Sequence, residues 1–253
     1  MVIRKYNYKD LAEYYDVLEL DSENTLKMNN FLGDIFRSYN VKSALDMTCG
    51  TGAQTIELKK KGYDIAALDI SKEMLNVARK KSKDLAIKFY QGDIRTSKIG
   101  KFDAVIAIFN AIGHLSKKDF GIAISNISDN LKNSGLFIFD IFNLDFMKSG
   151  GFIKHRFIDK AKEHSGIKYV RFNKNTIDYK NGIMGVNQEV YIQEGLGKPK
   201  IIKEKWDMQI YSSKELTEIL KKYGFKVLKF YGGPEDVFIK DKSLSIYVVA
   251  KKS

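Results

Sequence analysis

The spacing of apolar residues divides the chain into segments with different periods. Residues 1–40 place aromatic side chains and leucines three and four positions apart, which predicts helices. From residue 41 to residue 143, short apolar runs alternate with amphipathic segments of helical period. Buried strands that alternate with helices are typical of a parallel sheet covered on both faces. This part of the sequence therefore predicts an α/β fold.

Seven apolar runs predict the strands of that sheet, five of them before residue 144 and two near the C-terminus. They cover residues 43–47, 64–68, 86–90, 102–109, 135–142, 226–231 and 244–250. Helices are expected after Ser71, whose hydroxyl can cap a helix start, over residues 119–131, and from Ser212 to Gly224.

The pattern changes at about residue 144, where a period of two replaces the helical spacing. The strands of this period are expected at residues 167–177, 183–193 and 200–211. Asn181-Gly182, between the first two, is a two-residue hairpin signal. Residues 144–210 are therefore predicted to form an antiparallel β subdomain, inserted into an α/β domain made of residues 1–143 and 211–253.

Composition limits the class of protein. The chain has 253 residues, of which 44% are hydrophobic, enough for a continuous core. No run approaches the roughly 18 apolar residues of a membrane-spanning helix, and the first residues lack the apolar stretch of a signal peptide. The single cysteine excludes an internal disulfide and a multi-cysteine metal site. These features predict a cytoplasmic protein without a membrane partner or a bound metal.

The net charge of +12 raises the question of a nucleic-acid partner. Only 6 of the 43 basic residues are arginine, the residue that binds phosphate and guanine through paired hydrogen bonds. The lysines are spread along the chain rather than gathered into a basic arm. The sequence therefore favours solvated lysine-rich faces over a nucleic-acid interface.

A glycine-rich turn follows the first predicted strand. Gly50 and Gly52 let backbone amides approach a ligand at the start of a helix. A dinucleotide fingerprint would need a third glycine where this chain has Thr55. Asp46, at the end of the strand, would repel a pyrophosphate but suits a cationic amino-acid group. S-adenosylmethionine carries an ammonium and a sulfonium and no phosphate, so the charge of the site favours it over NAD.

Carboxylates also end the next two strands. Asp69 lies 19 residues after Gly50, where a carboxylate can accept hydrogen bonds from both ribose hydroxyls. Met74, one turn into the following helix, can pack on an adenine face. Asp93 follows the third strand, where it can accept the adenine amino group. These positions lie at the carboxyl ends of successive strands, where open α/β sheets bind ligands.

The motifs resemble those of class I S-adenosylmethionine-dependent methyltransferases over essentially the whole chain. The family's D/E-x-G-x-G-x-G motif stands here as residues 46–52, with Thr48 in place of the first glycine. The resemblance implies a Rossmann-like sheet of seven strands, six parallel and the last antiparallel. It also implies that S-adenosylmethionine, with S-adenosylhomocysteine as product, is bound by Asp46, Thr48, Gly50, Gly52, Asp69, Ile70, Met74, Asp93, Ile94, Ala107, Phe109 and Asn110.

Absent motifs bear on the methyl acceptor. Residues 108–113, after the fourth strand, lack the Asp/Asn-Pro-Pro-aromatic motif of exocyclic-amine nucleobase methyltransferases. Cytosine C5 enzymes need a Pro-Cys nucleophile there, and the only cysteine, Cys49, lies in the glycine-rich turn. Neither nucleobase chemistry is supported.

Other segments are similar to small-molecule methyltransferases. Residues 8–16 resemble the aromatic N-terminal helix that covers the cofactor in these enzymes, so residues 1–40 are expected to form a helical lid. Residues 112–115, residues 137–140 and the insert resemble sugar-amine N,N-dimethyltransferases and glycine N-methyltransferase-like enzymes. The resemblance implies a small-molecule acceptor, with an amine favoured, under an inserted β lid. The insert is also expected to offer a surface for a homodimer.

His114 and Tyr15 are the candidate catalytic residues. His114 follows the fourth strand, and an unperturbed pKa of about 6.5 would let it accept a proton from the acceptor near neutral pH. Tyr15 is expected to assist. The alternatives are that His114 caps a helix and that Tyr15 packs within one. Two other functions stay open, an RNA or protein methyltransferase and a binding module that holds the cofactor without turnover.

Overall fold

A computed structural model gives the architecture and describes residues 4, 6, 12, 14–20, 22–153 and 155–253. At the N-terminus, helix α1 (Tyr15–Glu19) precedes α2 (Ser22–Ser38), which confirms the predicted helices for this part of the chain. Most of the predicted aromatic segment, residues 8–11 and 13, lies outside the described residues.

The remaining elements alternate as the sequence predicts. The strands are β1 (Ser43–Asp46), β2 (Asp64–Asp69), β3 (Lys88–Gln91), β4 (Phe102–Ala107), β5 (Leu131–Phe142), β6 (Phe157–His164), β7 (Ile167–Asp178), β8 (Ile183–Glu194), β9 (Lys200–Gln209), β10 (Phe225–Tyr231) and β11 (Ser245–Lys252). The further helices are α3 (Ala53–Lys60), α4 (Lys72–Lys81), α5 (Lys117–Asn130), α6 (Leu144–Lys148) and α7 (Ser213–Lys222), with a 3-10 helix at Ala111–His114. Within the described ranges, no helix is long and apolar enough to cross a membrane.

Seven strands form the central sheet, in the order β10-β11-β5-β4-β1-β2-β3. Strand β11 is antiparallel to both of its neighbours, and the pairs among β1 to β5 are parallel. The predicted Rossmann-like sheet with its last strand antiparallel is therefore confirmed. The strand order reverses between β1 and β4, and open α/β sheets bind ligands at such a switch point.

Alternate residues of β5 pack against helices on opposite faces of the sheet. Phe137 and Phe139 join one apolar cluster with Phe120 of α5. Ile138 joins the other cluster with Leu32 of α2. All five side chains have 0% exposure. Because both faces are covered, the central strands are continuous apolar runs rather than alternating ones.

The inserted segment forms a separate four-stranded antiparallel sheet in the order β6-β7-β8-β9. The sequence predicted β7, β8 and β9 but missed β6. This edge strand mixes charged residues into its apolar pattern, and its pairing with β7 is interrupted between Ile158 and Lys160. A bulge of this kind breaks the period of two on which the prediction depends.

The connection between β7 and β8 is longer than the predicted two-residue turn. Asp178 pairs with Ile183, so residues 179–182 form the loop. The Asp178 carboxylate accepts hydrogen bonds from two backbone N–H groups of this loop, each at 3.0 Å. Gly182 has a φ of +65°, which favours glycine. The Asn-Gly pair therefore completes a turn that the Asp178 side chain organises.

The start of α7 offers a test of local stability. The Ser212 hydroxyl accepts a hydrogen bond from the N–H of Glu215, and the Glu215 carboxylate accepts one from the N–H of Ser212. Ser212→Ala removes one side of this capping box and should lower the free energy of unfolding by about 1 kcal/mol. Chemical denaturation measures the change, with Ser213→Ala, one residue inside the helix, as control. Equal losses in the two variants would contradict the capping role.

Candidate active site

A cavity of about 350 Å³ lies at the carboxyl ends of β1, β2 and β4. Many of the residues predicted to bind a cofactor line it, although they come from distant parts of the sequence. These are Thr48, Gly50, Asp69, Ile70, Met74, Asp93, Ile94 and Phe109. Tyr15 and His114 line the same cavity. The topology thus brings the predicted cofactor residues and both candidate catalytic residues to one place.

The glycine-rich turn forms the floor of the cavity at the start of α3. Gly50 and Gly52 have φ values of +53° and +83°, where a side chain would be strained. The Gly50 N–H donates to the Asp69 carboxylate at 2.8 Å. A Cβ atom at Gly50 would lie 3.3 Å from Cε of Met74. The turn is therefore tied to the end of β2, and glycine keeps open the space beside Met74.

Asp69 and Ile70 present a polar and an apolar surface side by side. The Asp69 carboxylate also accepts a hydrogen bond from the N–H of Ser71 at 2.9 Å, which fixes its orientation. Burial raises the pKa of Asp69. The Ile70 side chain is 57% exposed although it is apolar, and it lines the cavity. A carboxylate beside an exposed apolar side chain suits a ligand with hydroxyl groups and a flat ring.

The Asp93 carboxylate, which the sequence predicts as the partner of the adenine amino group, already forms an ion pair within the protein. The Arg95 guanidinium contacts the Asp93 carboxylate at 2.6 Å and the Asp119 carboxylate at 3.0 Å, and all three residues line the cavity. The sequence analysis did not predict Arg95 or Asp119. Arg95 lies only two positions after Asp93 and could have been considered, but Asp119 lies on α5 and is brought to the site only by the fold. The adenine amino group, if it binds Asp93, meets a carboxylate that already has a cationic partner.

Four of the predicted cofactor residues do not line this cavity. Gly52 allows the turn to pack closely against α4, because a Cβ atom there would lie 3.3 Å from Cβ of Ala78. Ala107 is in the core with 0% exposure. Asn110 lines a second cavity, described below. Asp46 is 3% exposed and accepts a hydrogen bond from the Thr55 hydroxyl at 2.7 Å.

The burial of Asp46 changes its charge. Desolvation raises the pKa of Asp46 to about 7, and hydrogen bonds from Thr55 and from the N–H of Thr48 oppose this rise. At neutral pH the carboxyl group is therefore close to its midpoint of ionisation. A cation bound above the turn would favour the ionised form. Asp46 therefore supports the glycine-rich turn from below and is not part of the cavity wall.

The end of β4 has an unusual backbone. Phe109 and Asn110 have φ values of +63° and +56°, which are uncommon for residues other than glycine. This left-handed pair explains why β4 ends at Ala107, before the predicted residue 109. Asp140 of β5 is 2% exposed and accepts a hydrogen bond from the N–H of Asn110 at 3.2 Å. The buried carboxylate thus stabilises a strained turn at the cavity edge.

Two buried polar atoms in the cavity wall have no hydrogen-bond partner within the described part of the chain. They are Oγ1 of Thr48 and Nε2 of Gln54. Buried polar groups in proteins are nearly always paired, so these atoms indicate a ligand with complementary groups. The amino-acid end of S-adenosylmethionine has a carboxylate for the Gln54 amide and an ammonium for the Thr48 hydroxyl. Gln54, in the first turn of α3, was not predicted.

A second cavity, of about 440 Å³, lies between the central sheet and the inserted sheet. Its walls include Phe142 of β5 and residues of β7, β8 and β9. The two cavities share the wall residues Tyr6, Tyr15, Phe109 and His114. Tyr14, in contrast, packs against the ring of Tyr169 with centroids 6.1 Å apart. Of the paired tyrosines, Tyr15 is the one placed at the junction.

His114 ends the 3-10 helix that follows β4, and its ring centroid lies 6.5 Å from that of Tyr6. Burial lowers the pKa of His114 to about 4. The expectation of a pKa of about 6.5 is therefore wrong, because the sequence does not show that the ring is desolvated. At neutral pH the imidazole is uncharged and can accept a hydrogen bond, but it is a weaker base than expected.

Comparison with known proteins agrees with this geometry. A family described as a methyltransferase domain matches residues 44–135. The chain is 31% identical over 134 residues to dTDP-3-amino-3,4,6-trideoxy-alpha-D-glucopyranose N,N-dimethyltransferase of Streptomyces venezuelae, which covers 51% of this chain and 56% of that protein. It is 33% identical over 129 residues to glycine/sarcosine N-methyltransferase of Parasynechococcus marenigrum, with 47% and 46% covered. The chain thus aligns with about half the length of these two relatives.

The fold has a close counterpart among solved structures. An S-adenosylmethionine-dependent methyltransferase from Clostridium acetobutylicum superposes with a TM-score of 0.80 at 22% identity, covering 97% of this chain and 99% of that one. The sheet, the glycine-rich turn and the matching domain together define a class I methyltransferase fold. Residues 44–135 therefore match a methyltransferase domain, and the fold of the chain is that of the class I S-adenosylmethionine-dependent methyltransferases, whose cofactor is S-adenosylmethionine.

Proposed function

We propose that this protein transfers the methyl group of S-adenosylmethionine to the nitrogen of a small-molecule amine bound in the second cavity. The observation that carries the proposal is the junction of the two cavities at Tyr15, Phe109 and His114. A cofactor in one cavity and an acceptor in the other can meet there. Both relatives named above are N-methyltransferases of small molecules, which supports an amine as acceptor.

The chemistry asks the protein chiefly for alignment. Bound S-adenosylmethionine supplies a methyl group that its sulfonium activates for displacement. The cofactor would be held by Asp69 at the ribose, by Gln54 and Thr48 at the amino-acid end, and by Ile70 and Met74 at the adenine. Holding two reactants in line removes most of the entropic barrier to such a transfer. The residues at the junction orient the acceptor nitrogen toward the cofactor cavity.

The N-terminal segment and the insert act as a lid in this proposal. The Asp16 carboxylate of α1 accepts a hydrogen bond from the Thr51 hydroxyl at 2.5 Å and pairs with Lys81 at 2.5 Å. Glu19, at the other end of α1, pairs with Arg171 of β7. Helix α1 therefore links the glycine-rich turn to the inserted sheet. A lid attached at both ends excludes water from the transferring methyl group.

His114 and Tyr15 complete the proposed mechanism at the acceptor. An amine must lose its proton before its lone pair can attack. The buried, uncharged His114 ring can accept a hydrogen bond from the amine N–H and favours the neutral amine by desolvation. Tyr15 borders the same space from the lid side. We assign these two residues to orienting the acceptor nitrogen in its neutral form, with the lone pair toward the methyl group.

A test of the function combines cofactor binding with product release. The full chain should bind S-adenosylmethionine in calorimetry and should release S-adenosylhomocysteine only when a small amine is added. A panel of primary and secondary amines, with buffer alone and total RNA as the other arms, identifies the acceptor class. Release with RNA and not with amines would replace the proposal by an RNA methyltransferase. Binding without release in any arm would favour a module that only holds the cofactor.

A further inference from the structure

The wall that the insert gives to the second cavity carries a set of amide side chains. Asn173 of β7 and Gln188 of β8 are directly paired across the two strands, so their side chains lie on the same face. Asn175 follows Asn173 by two positions and shares that face. All three line the cavity. We call Asn173, Asn175 and Gln188 the amide row.

The side-chain oxygens of the amide row have no hydrogen-bond donor among the described residues. The carbonyl oxygens of all three side chains are buried and have no partner among the residues that the structure describes. Asn110 lines the same cavity, and its side-chain oxygen is also buried without a partner among the described residues. Asn173 and Gln188 are only 9% and 4% exposed, so their amides are held within the cavity wall rather than in bulk solvent. Buried acceptors of this kind require a ligand that donates hydrogen bonds.

The charges in the wall of the second cavity disfavour a ligand that carries a carboxylate. Among the described residues that line the second cavity, Arg171 is the one lysine or arginine. Its side chain is 7% exposed, contacts the Asp159 carboxylate at 2.5 Å and pairs with Glu19. Both of these acidic residues also line the cavity. Because Arg171 is already neutralised, an anionic acceptor would enter without a cation to pair with and would face two carboxylates.

We propose that the amide row is the acceptor subsite and that it selects an amine carried on an uncharged body with several hydroxyl groups, such as an aminodeoxy sugar. Hydroxyl and amine N–H groups supply the donors that the four amide oxygens need, and the ligand brings no negative charge to the Asp159–Arg171–Glu19 cluster. An amino acid would bring a negative charge to this cluster. A plain alkyl amine would leave most of the amide oxygens without a donor. This inference rests on the proposed function and names its substrate class.

Binding to the protein loaded with S-adenosylhomocysteine tests the selection. The probes are methyl glycosides of 2-, 3- and 4-aminodeoxyhexoses, cyclohexylamine as an amine of similar ring size without hydroxyl groups, and glycine. At least one aminohexoside should bind roughly 10- to 100-fold more tightly than either comparison compound, since a hydrogen-bonding site rejects ligands that leave it unpaired. Equal or tighter binding of glycine or cyclohexylamine, or no binding of any aminohexoside, would overturn the inference.

Substitutions in the amide row assign the effect to these residues. Asn173→Leu and Gln188→Met keep the side-chain size but remove the amide, and each should weaken aminohexoside binding about tenfold or more. Their affinity for S-adenosylhomocysteine should not change. Asn187→Leu is the matched control, because Asn187 is next to Gln188 on the opposite face, where its amide donates to the carbonyl of Lys174.

The two proposals fail in different ways in this experiment. A wild-type chain that does not bind S-adenosylhomocysteine would remove the basis of the proposed function. A chain that binds it, and whose amide-row variants hold aminohexosides as tightly as the Asn187→Leu control, would overturn the substrate class and leave the methyltransferase function standing. Circular dichroism of each variant confirms that the inserted sheet is retained.

Discussion

Replacing Asp69 by alanine should weaken binding of S-adenosylmethionine about 10- to 100-fold. The Asp69 carboxylate lies at the end of β2, lines the cofactor cavity and is oriented by two backbone N–H groups, at 2.8 and 2.9 Å. A carboxylate held in this way can accept hydrogen bonds from ribose hydroxyls. Losing such bonds to a charged group costs about 1.5–3 kcal/mol, which corresponds to that range of affinity. Isothermal titration calorimetry measures the change directly.

The control must separate loss of ligand contact from a general loss of stability, because Asp69 also holds the N–H of Gly50 in the fold. Asp103 offers a match at the amino end of β4, on the side of the sheet away from the cavity. Its carboxylate accepts hydrogen bonds from the backbone N–H groups of Lys42 and Ser43, at 3.0 and 2.8 Å. Asp103→Ala should lower stability but leave cofactor affinity unchanged. If Asp69→Ala binds S-adenosylmethionine as tightly as Asp103→Ala does, Asp69 does not hold the ribose.

The parts of the site that the sequence predicts are those that strand ends determine. In a parallel sheet, carboxyl ends of neighbouring strands meet at one edge, so Asp69 and Asp93 could be placed together from the strand pattern alone. The glycine-rich turn was readable for the same reason, since a strand that enters a tight turn before a helix needs residues such as Gly50 and Gly52 with positive φ. Local chemistry and topology point the same way at these positions.

The parts that the sequence does not predict depend on contacts between distant segments. The amide row follows from the pairing of Asn173 with Gln188 and from the face that the inserted sheet turns toward the cavity. Asp46 is buried beneath the turn, where its carboxylate accepts a hydrogen bond from the Thr55 hydroxyl. In the sequence, Thr55 is visible only as a position where a dinucleotide motif would have glycine. No spacing rule gives the depth of a side chain below a surface. The charge states of the buried groups in the site therefore could not be predicted from the sequence.

The largest effect on turnover is expected from His114, where the pH dependence also changes. His114→Ala should lower kcat by about 10²-fold with little change in cofactor affinity, the size of effect that a positioned proton acceptor supplies. Because the pKa of His114 is about 4, the group stays unprotonated in the neutral range, and an acidic limb of kcat due to this residue lies near pH 4 rather than near 6.5. Stopped assays of S-adenosylhomocysteine release across pH 4 to 9 measure both quantities.

The competing role for His114 is structural, since it ends the 3-10 helix after β4. Burial lowers its pKa in the folded state from 6.5 to about 4, so the unfolded chain binds more protons between these values. The free energy of unfolding of the wild type should therefore fall as pH drops through that window, and that of His114→Gln should fall less. His164→Ala, at an exposed position of β6, is the control for both measurements. A His114→Ala variant that loses about 1 kcal/mol of stability but keeps the wild-type kcat would make the residue a helix cap. Alignment and desolvation at the junction of the cavities would then account for the transfer without a dedicated base.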